Sequence, residues 1–402
     1  MTNAADGLAT AGVAPSPGTV RTADAIAPSS PGAVRVEWAN ALRGVAAVSV
    51  LVAHYGVVFF TAQEVAAGLA RRPPLYAGAD GAPQFARLLA AMPVDLAAFG
   101  VGLFFLLSGY VIAISLDRYS RRGFIVGRTM RIVPTYAAGY LVTCTVVWAM
   151  SDPNNELTLG AVAAGMVPGL PNLLGIPAPA DGIVWTLIVE AVFYCFCLVA
   201  YRSLTRRWVA VASVAAACVG GQMALSNLPI SSQPPFAGLV YVLVLSFPFL
   251  PVMLIGVTLS AWRRGQMGGA AAIVLILVLT AVHAVLLATN PIVAAGMAYR
   301  MTFVVTIAAF CLVSLWGGRW RAHSVTDYFA DISYPLYVVH AVLGYAMLHS
   351  LTAAGVRSPV AVGATSAVAV TTAWLLHRYV ELPTHRLGTR WARRLSVTPS
   401  RQ

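Results

Sequence analysis

Apolar residues fill most of this 402-residue chain in long runs, and polar residues gather in short segments between the runs. Each run is about 20 residues long, the length that an α-helix needs to cross the hydrocarbon core of a bilayer. The pattern therefore predicts an all-α integral membrane protein with about ten transmembrane helices. The predicted spans are residues 41–60, 96–116, 133–151, 183–201, 208–225, 239–261, 270–288, 298–316, 334–353 and 359–377.

Arginine placement orients these spans. With the N-terminus in the cytoplasm, 20 arginines fall in inside segments and four in outside loops, while Arg43 and Arg300 lie at the edges of spans. Cytoplasmic loops of membrane proteins are enriched in basic residues. Ten spans with both termini in the cytoplasm satisfy this rule, and removing one span would invert every later loop. We expect a multi-pass protein of the cytoplasmic (inner) membrane.

The composition agrees with a membrane location and limits the classes of partner that we expect. Hydrophobic residues make up 59% of the chain and charged residues 10%, whereas a soluble domain carries about 25% charged residues. The net charge of +12 comes from arginines in clusters between apolar runs. We therefore expect membrane lipid as a partner and no nucleic acid. A homo-oligomer is compatible with this composition.

The ends of the chain and two loops complete the predicted organisation. Residues 1–36 are rich in small residues and proline without an apolar core, which predicts a disordered cytoplasmic tail and not a signal peptide. A transmembrane domain over 37–386 and a basic cytoplasmic tail over 387–402 follow. The outside loops 61–95 and 152–182 are long enough to line an entrance or form a lid, or they are plain connectors.

The first span carries two polar side chains on one face. Arg43 and His54 are eleven residues apart, which is three helical turns and a further 20°. Their axial separation is roughly 16 Å, so Arg43 lies at the cytoplasmic rim and His54 near mid-membrane. The pair suits a path for an anionic substrate that ends at a base. The alternative is a structural histidine bonded to a neighbouring helix.

Two further clusters admit a structural and a functional interpretation. Gly102, Ser108 and Gly109 in the second span are small enough for close helix packing. Arg128 and Arg131 are three residues apart before the third span, so they share a helix face and can hold one phosphate group between them. The alternative for these two arginines is an ordinary topology signal. Pro134 is expected to mark the start of the third span.

Glu190 is the only carboxylate well inside a predicted span. A lone carboxylate in hydrocarbon needs a cationic partner or a proton, and His54 and Arg43 are the natural candidates for the partner. In the ninth span, Tyr337 and His340 face the same interior, where they can reach Glu190.

Six short motifs follow one another after residue 36. They are Arg-x10-His at Arg43 and His54, FFLLSG at Phe104–Gly109, RTMRIVPTY at Arg128–Tyr136, WTLIVEAVFY at Trp185–Tyr194, SYPLYVVH at Ser333–His340 and VELPTHRLG from Val380. In this order they resemble acyltransferase family 3, the membrane-bound O-acyltransferases that modify bacterial surface polysaccharides, nodulation factors and some antibiotics. Gly102 departs from the aspartate of many members, and Thr186 from the usual serine. The hydrolase-like domain fused to some members is absent.

The resemblance implies an acyl-CoA donor, acetyl-CoA by default, and a glycan or small-molecule hydroxyl as acceptor. Arg128 and Arg131 would hold the phosphates of coenzyme A, and Arg43 would add positive charge at the entrance. His54 would accept the hydroxyl proton or carry the acyl group, and Glu190 would orient its imidazole or accept a proton.

Tyr194, Tyr337 and His340 are the expected contacts to substrate. No metal and no permanently bound cofactor is expected, because no metal-ligand spacing occurs. Two other functions remain open from composition and topology. One is a transporter or flippase of a glycan or lipid-linked precursor, which would move substrate without consuming acyl-CoA. The other is a non-catalytic anchor for glycan assembly, in which His54 and Glu190 would be dispensable.

Overall fold

The computed structural model of the protein describes residues 37–78, 81–150, 158–176, 181–227, 236–293, 295–317 and 323–396. The predicted disordered tail over 1–36 lies outside the described residues. The described residues form helices joined by turns and loops, without a strand among them. The helices are α1 (Glu37–Thr61), α2 (Gln63–Leu69), α3 (Gln84–Ala90), α4 (Leu96–Arg118), α5 (Arg121–Met150), α6 (Leu159–Gly165), α7 (Leu170–Leu174), α8 (Val184–Ala200), α9 (Ser203–Arg206), α10 (Trp208–Asn227), α11 (Ala237–Ser246), α12 (Leu250–Arg263), α13 (Gly269–Thr289), α14 (Met297–Trp316), α15 (Ser324–Asp331), α16 (Ser333–Ala353) and α17 (Ser358–Arg394).

The long helices confirm an all-α integral membrane protein. Within the described residues, eight helices are long and apolar enough to cross a membrane, namely α1, α4, α5, α10, α13, α14, α16 and α17. Helices α11 and α12 are apolar as well and meet at a bend of 49°, the geometry of a broken span or of a re-entrant loop. Helix α8 is apolar but shorter, at 17 residues. Each of the ten predicted spans overlaps one of these elements.

Two helices extend beyond their predicted ends. Helix α5 begins at Arg121 and continues through Pro134, so this proline does not mark the start of the span. Helix α17 continues past residue 377 through a π-helical turn, His377–Glu381, and ends at Arg394. The prediction was wrong at these ends because it stopped each span where charges begin, whereas arginine is a good helix former and the backbone ladder runs on. The predicted domain boundary at 386/387 falls inside α17.

Small residues pack the C-terminal part of α17 against the N-terminal part of α5. A Cβ atom added to Gly123 would lie 2.6 Å from the carbonyl oxygen of Ala392, and one added to Gly388 would lie 2.6 Å from the Cβ of Met130. Ala392 is buried. Residues 387–394 of the predicted basic tail are therefore a helix packed against the arginine-bearing half of α5.

Helices α4 and α12 cross with their backbones in contact. An added Cβ on Gly109 would lie 1.9 Å from the Met253 carbonyl oxygen, and one on Gly256 would lie 2.1 Å from that of Leu106. The packing role predicted for Gly109 is confirmed, since only glycine permits this approach. Ser108 does not serve that crossing, because its hydroxyl is hydrogen-bonded to Glu190 on α8.

The segment after α1 packs over the end of the helix that carries His54. Gly56 of α1 lies against the Leu89 side chain of α3. Tyr76 donates a hydrogen bond to the Phe60 carbonyl at 3.1 Å, and His349 of α16 donates from Nε2 to the Pro73 carbonyl at 2.9 Å. The described part of loop 61–95 is therefore a packed cover. We call residues 62–95 the outer cover.

Asp181 fixes the start of α8, the helix that carries Glu190. Its side chain is 3% exposed and accepts hydrogen bonds from the backbone N–H groups of Ile183 and Val184 and from the hydroxyl of Tyr136 on α5. Burial raises the pKa of this carboxyl, and the three hydrogen bonds oppose that rise. Asp181 therefore ties α8 to α5 just outside the span.

Candidate active site

Five helices enclose a cavity of about 100 Å³ in the interior of the bundle. Phe104 and Tyr337 lie at the contact between the two hydrophobic clusters of the fold, and both line this cavity. The charged residues in its wall are Arg43 of α1, Arg128 and Arg131 of α5, and Glu190 of α8. The structure thus brings together four residues that are predicted from the sequence. The remaining lining residues are Val101, Phe105, Leu107, Ser108, Val111, Ile132, Thr186, Leu187, Tyr194, Ser333 and Tyr334.

The guanidinium group of Arg128 is held in a fixed position. Its Nη2 atom donates a hydrogen bond to Ser115 Oγ of α4 at 2.7 Å. The same group lies over the rings of Phe124 and Tyr194, at 5.6 Å from each centroid. Such cation–π contacts stabilise the cation by about 0.5–2 kcal/mol. Arg128 and Arg131 therefore present their charge to the cavity from one face of α5, as their spacing predicts.

Glu190 is held by two hydroxyl groups. Ser108 donates to Glu190 Oε1 at 2.7 Å, and Tyr194, one turn along the same helix, donates to the same oxygen. Arg43 attracts this carboxylate electrostatically, so one of the two predicted partners is present. The prediction that Glu190 orients the His54 imidazole is wrong. The imidazole is hydrogen-bonded to Tyr345, and the carboxylate accepts its hydrogen bonds from Ser108 and Tyr194. Tyr194 thus positions Glu190 besides facing the cavity.

Glu381 is a neighbour of Arg43 that the sequence analysis missed. It lies in the π-helical turn of α17, is 9% exposed and pairs with Nδ1 of His377 at 2.7 Å. Its carboxylate attracts Arg43, which Arg131 and Arg128 repel. The signal was present in the closing VELPTHRLG motif, but ending the tenth span at residue 377 removed Glu381 from the candidates. Two carboxylates, Glu190 in the cavity wall and Glu381 in α17, therefore attract Arg43.

His54 lies in a distorted part of α1. Residues Ala53–Val58 form a π-helical turn in which the Phe59 N–H bonds back to the His54 carbonyl. Single π-helical turns inside α-helices occur frequently at functional sites. Nδ1 of His54 lies 2.5 Å from the Tyr345 hydroxyl, and the side chain remains partly exposed. When Nδ1 donates this hydrogen bond, Nε2 keeps its lone pair and can accept a proton.

His340 of α16 packs directly against His54. The two imidazole rings are perpendicular, with 4.6 Å between their centroids. Nδ1 of His340 donates to the Tyr337 carbonyl at 2.8 Å, which leaves Nε2 as an acceptor in the neutral ring. This Nε2 atom is buried and has no hydrogen-bond partner among the described residues. His340 therefore adds an unpaired buried acceptor beside His54.

Tyr337 connects the arginine-lined cavity to the two histidines. Its ring lines the cavity, packs edge-on against Phe104 and lies 5.5 Å from the ring of His340. Its hydroxyl is hydrogen-bonded to Thr186 Oγ1 at 2.9 Å. Thr186 thus keeps the hydroxyl of the serine that it replaces. A path of side-chain contacts therefore runs from the cavity wall through Tyr337 and His340 to His54, although neither histidine lines the cavity.

Comparison with known proteins identifies the family. The model of the family described as acyltransferase domain, acyltransferase 3, matches residues 36–378. The chain belongs to this family. It is 26% identical over 326 residues to acyltransferase MdmB of Streptomyces mycarofaciens, covering 73% of this chain and 82% of that protein. No solved structure matches the chain. The protein is therefore a multi-pass membrane acyltransferase, and the family match ends three residues before Glu381.

Proposed function

We propose that this acyltransferase moves an acyl group, expected to be acetyl, from acyl-CoA to a hydroxyl of a glycan or a glycosylated small molecule. Surface saccharides such as exopolysaccharide or lipopolysaccharide are the expected glycans. The observation that supports this most is the path from three arginines, Arg43, Arg128 and Arg131, to the imidazoles of His54 and His340. It joins a binding site for anions to a proton acceptor inside one bundle.

The arginine end suits the phosphate groups of coenzyme A. The cavity wall carries three guanidinium groups and one carboxylate, that of Glu190, so cations outnumber anions there. Guanidinium groups bind phosphate oxygens by charge-assisted, often bidentate hydrogen bonds. A diphosphate would neutralise the excess and relieve the repulsion of Arg43 by Arg128 and Arg131.

The histidine end supplies the proton transfer. His54 Nε2 takes the proton of the acceptor hydroxyl while the hydroxyl oxygen attacks the thioester carbonyl carbon. The carbon–sulfur bond breaks, an ester bond forms, and the proton passes from His54 to the departing thiolate of coenzyme A. A variant of this scheme has His54 carry the acyl group between the two substrates. Both need a neutral imidazole at His54.

The distribution of arginines along the chain fits a donor and an acceptor that enter from opposite sides of the membrane. Both chain termini and the arginine end would face the cytoplasm of the inner membrane, where acyl-CoA is present. The outer cover then lies on the other side, above His54, and the acceptor would reach His54 past it. Reporter fusions after Arg206 and Asn290 test this topology; we expect the first inside and the second outside.

Transfer is tested with the purified protein in phosphatidylcholine nanodiscs and acetyl-CoA labelled in its acetyl group. Glycans and metabolites extracted from a strain lacking the protein serve as acceptors. We expect label in a hydroxyl ester together with release of free coenzyme A, and neither with His54→Gln. Uptake of a glycan into sealed vesicles that contain the protein, without release of coenzyme A, would contradict the proposal and favour a transporter.

A further inference from the structure

A second basic groove lies at the arginine end of the bundle, outside the cavity. It encloses about 430 Å³ and is lined by Arg118 at the end of α4, Tyr119, Arg393 near the end of α17, and Ser396. Its walls are tied together, because the Ser120 N–H donates to Ser396 Oγ at 2.9 Å. Two chain segments far apart in sequence thus form one groove.

The groove combines exposed cations with aromatic rings. Arg118 is exposed and lies over the ring of Tyr119, at 5.7 Å from its centroid. The hydroxyl of Tyr201 donates to the Tyr119 carbonyl, and Arg121 lies over the Tyr201 ring at 5.3 Å. Guanidinium groups bind phosphate, and tyrosine rings stack with nucleobases.

The nearest acid along the chain does not neutralise these arginines. Asp117 is paired with Arg264 at 2.5 Å and accepts a hydrogen bond from Gln266 at 3.0 Å. Arg118 and Arg393 therefore keep their charge directed to the groove and to solvent. Arginines at this end of the bundle would also serve as an ordinary topology signal. A topology signal, however, requires neither the aromatic rings nor the hydrogen bond that joins the two walls of the groove.

The groove begins close to the arginines of the cavity. Arg128 contacts Ser115 of α4, and Arg118 follows three residues later, a rise of about 4.5 Å along the helix. A ligand with one phosphate group at Arg128 and another anionic group further from the cavity would reach Arg118. Coenzyme A has this form, since a diphosphate and a 3′-phosphate flank its ribose.

We propose that this groove binds the 3′-phosphorylated adenosine end of acyl-CoA, with the 3′-phosphate at Arg118 and Arg393 and the base against Tyr119. The inference rests on the proposed function and extends it to the part of the donor that does not react. It predicts that the protein distinguishes coenzyme A from 3′-dephospho-coenzyme A, because only the first carries the phosphate that these arginines contact.

The test is calorimetric titration of both compounds into the full protein in phosphatidylcholine nanodiscs. We expect the wild type to bind coenzyme A at least about tenfold more tightly, the size of one charge-assisted hydrogen bond. Arg118→Ala with Arg393→Ala should remove most of this preference by weakening coenzyme A binding alone. Arg128→Ala should weaken both compounds alike, and Arg357→Ala, at the other end of the bundle, should change neither.

The outcomes distinguish a failure of the groove proposal from a failure of the proposed function. Equal affinities of the wild type for the two compounds would overturn the groove proposal while leaving acyl-CoA as donor. The same holds if the double variant retains the preference for coenzyme A. Failure of both compounds to bind would overturn the donor proposal itself. Added phosphatidylglycerol should leave the preference unchanged; if it abolishes the preference in the wild type, a lipid headgroup occupies the groove and the inference is wrong.

Discussion

The imidazoles of His54 and His340 lie in contact, edge to face, although they come from helices at opposite ends of the sequence. Two positive charges at 4.6 Å repel strongly in a low-dielectric interior. We therefore expect the pair to hold no more than one proton at a time. A site that takes a proton from a hydroxyl and returns it to a thiolate needs this capacity, since one proton is in transit at a time.

We predict that His54→Gln abolishes acyl transfer while the protein still folds. Glutamine keeps much of the shape and can hydrogen-bond Tyr345, but it has no basic nitrogen. Loss of a general base costs roughly 10²–10⁴-fold in rate. The measurement is kcat for release of coenzyme A from acetyl-CoA in the purified protein. His323→Gln is the control, because His323 is exposed at the start of α15. Near wild-type transfer by His54→Gln would remove His54 from the mechanism.

His340→Gln should lower kcat with little change in the KM for acetyl-CoA. His340 contacts His54 and Tyr337 and does not line the arginine end of the cavity, so the loss should fall on proton transfer and not on donor binding. The loss should be smaller than that of His54→Gln. A merely structural histidine would instead lower the yield and thermal stability of the protein and leave kcat per folded molecule unchanged.

Arg128→Ala and Arg131→Ala should each weaken acetyl-CoA binding by about 1.5–3 kcal/mol, roughly tenfold to a hundredfold. Lysine at either position should recover only part of the affinity, because a point charge cannot reproduce a forked donor. The dissociation constant by titration is the measurement, with thermal melting to show that each variant is folded. Unchanged affinity in both alanine variants would return these arginines to an ordinary topology signal.

The sequence predicts the helices and the residue types of the site better than it predicts which side chains contact one another there. Apolar runs of bilayer length are a strong signal, and the ordered motifs identify the family and place Arg43, Arg128 and Glu190 near one another. The partner of His54 could not be predicted, because Tyr345 lies 291 residues away and helix periodicity says nothing about which helices meet. The same limit explains why Ser108 was interpreted as a packing residue and why Glu381 received no role. Both act through contacts between helices.

Glu381 should stabilise Arg43 by a measurable coupling. Each single variant, Glu381→Gln or Arg43→Gln, removes one partner of this attraction and leaves the charge of the other in place. The double variant removes both charges, so its loss of thermal stability should be smaller than the sum of the two single losses, by roughly 0.5–3 kcal/mol. Additive losses in the melting experiment would show that the two side chains do not interact. His377 remains beside position 381 in all three variants and provides a constant background.

The crossing of α4 and α12 gives the sharpest stability prediction, because one glycine is enclosed and another in the same fold is free. Gly109→Ala places a methyl group 1.9 Å from the Met253 carbonyl oxygen, so the helices must separate, and overpacking of this kind costs about 1–3 kcal/mol or more. Gly220→Ala in α10 meets no atom within 4 Å and should leave the protein as stable or more stable by up to about 1 kcal/mol.

Gly256→Ala at the same crossing should destabilise as Gly109→Ala does, because its methyl group would lie 2.1 Å from the Leu106 carbonyl oxygen. Once one methyl group has separated the helices, the second meets less resistance, so the two losses should add to less than their sum. Thermal melting of the wild type, the two single variants and the double variant in one detergent measures this non-additivity. Equal melting temperatures for Gly109→Ala and Gly220→Ala would mean that α4 and α12 do not touch at this point.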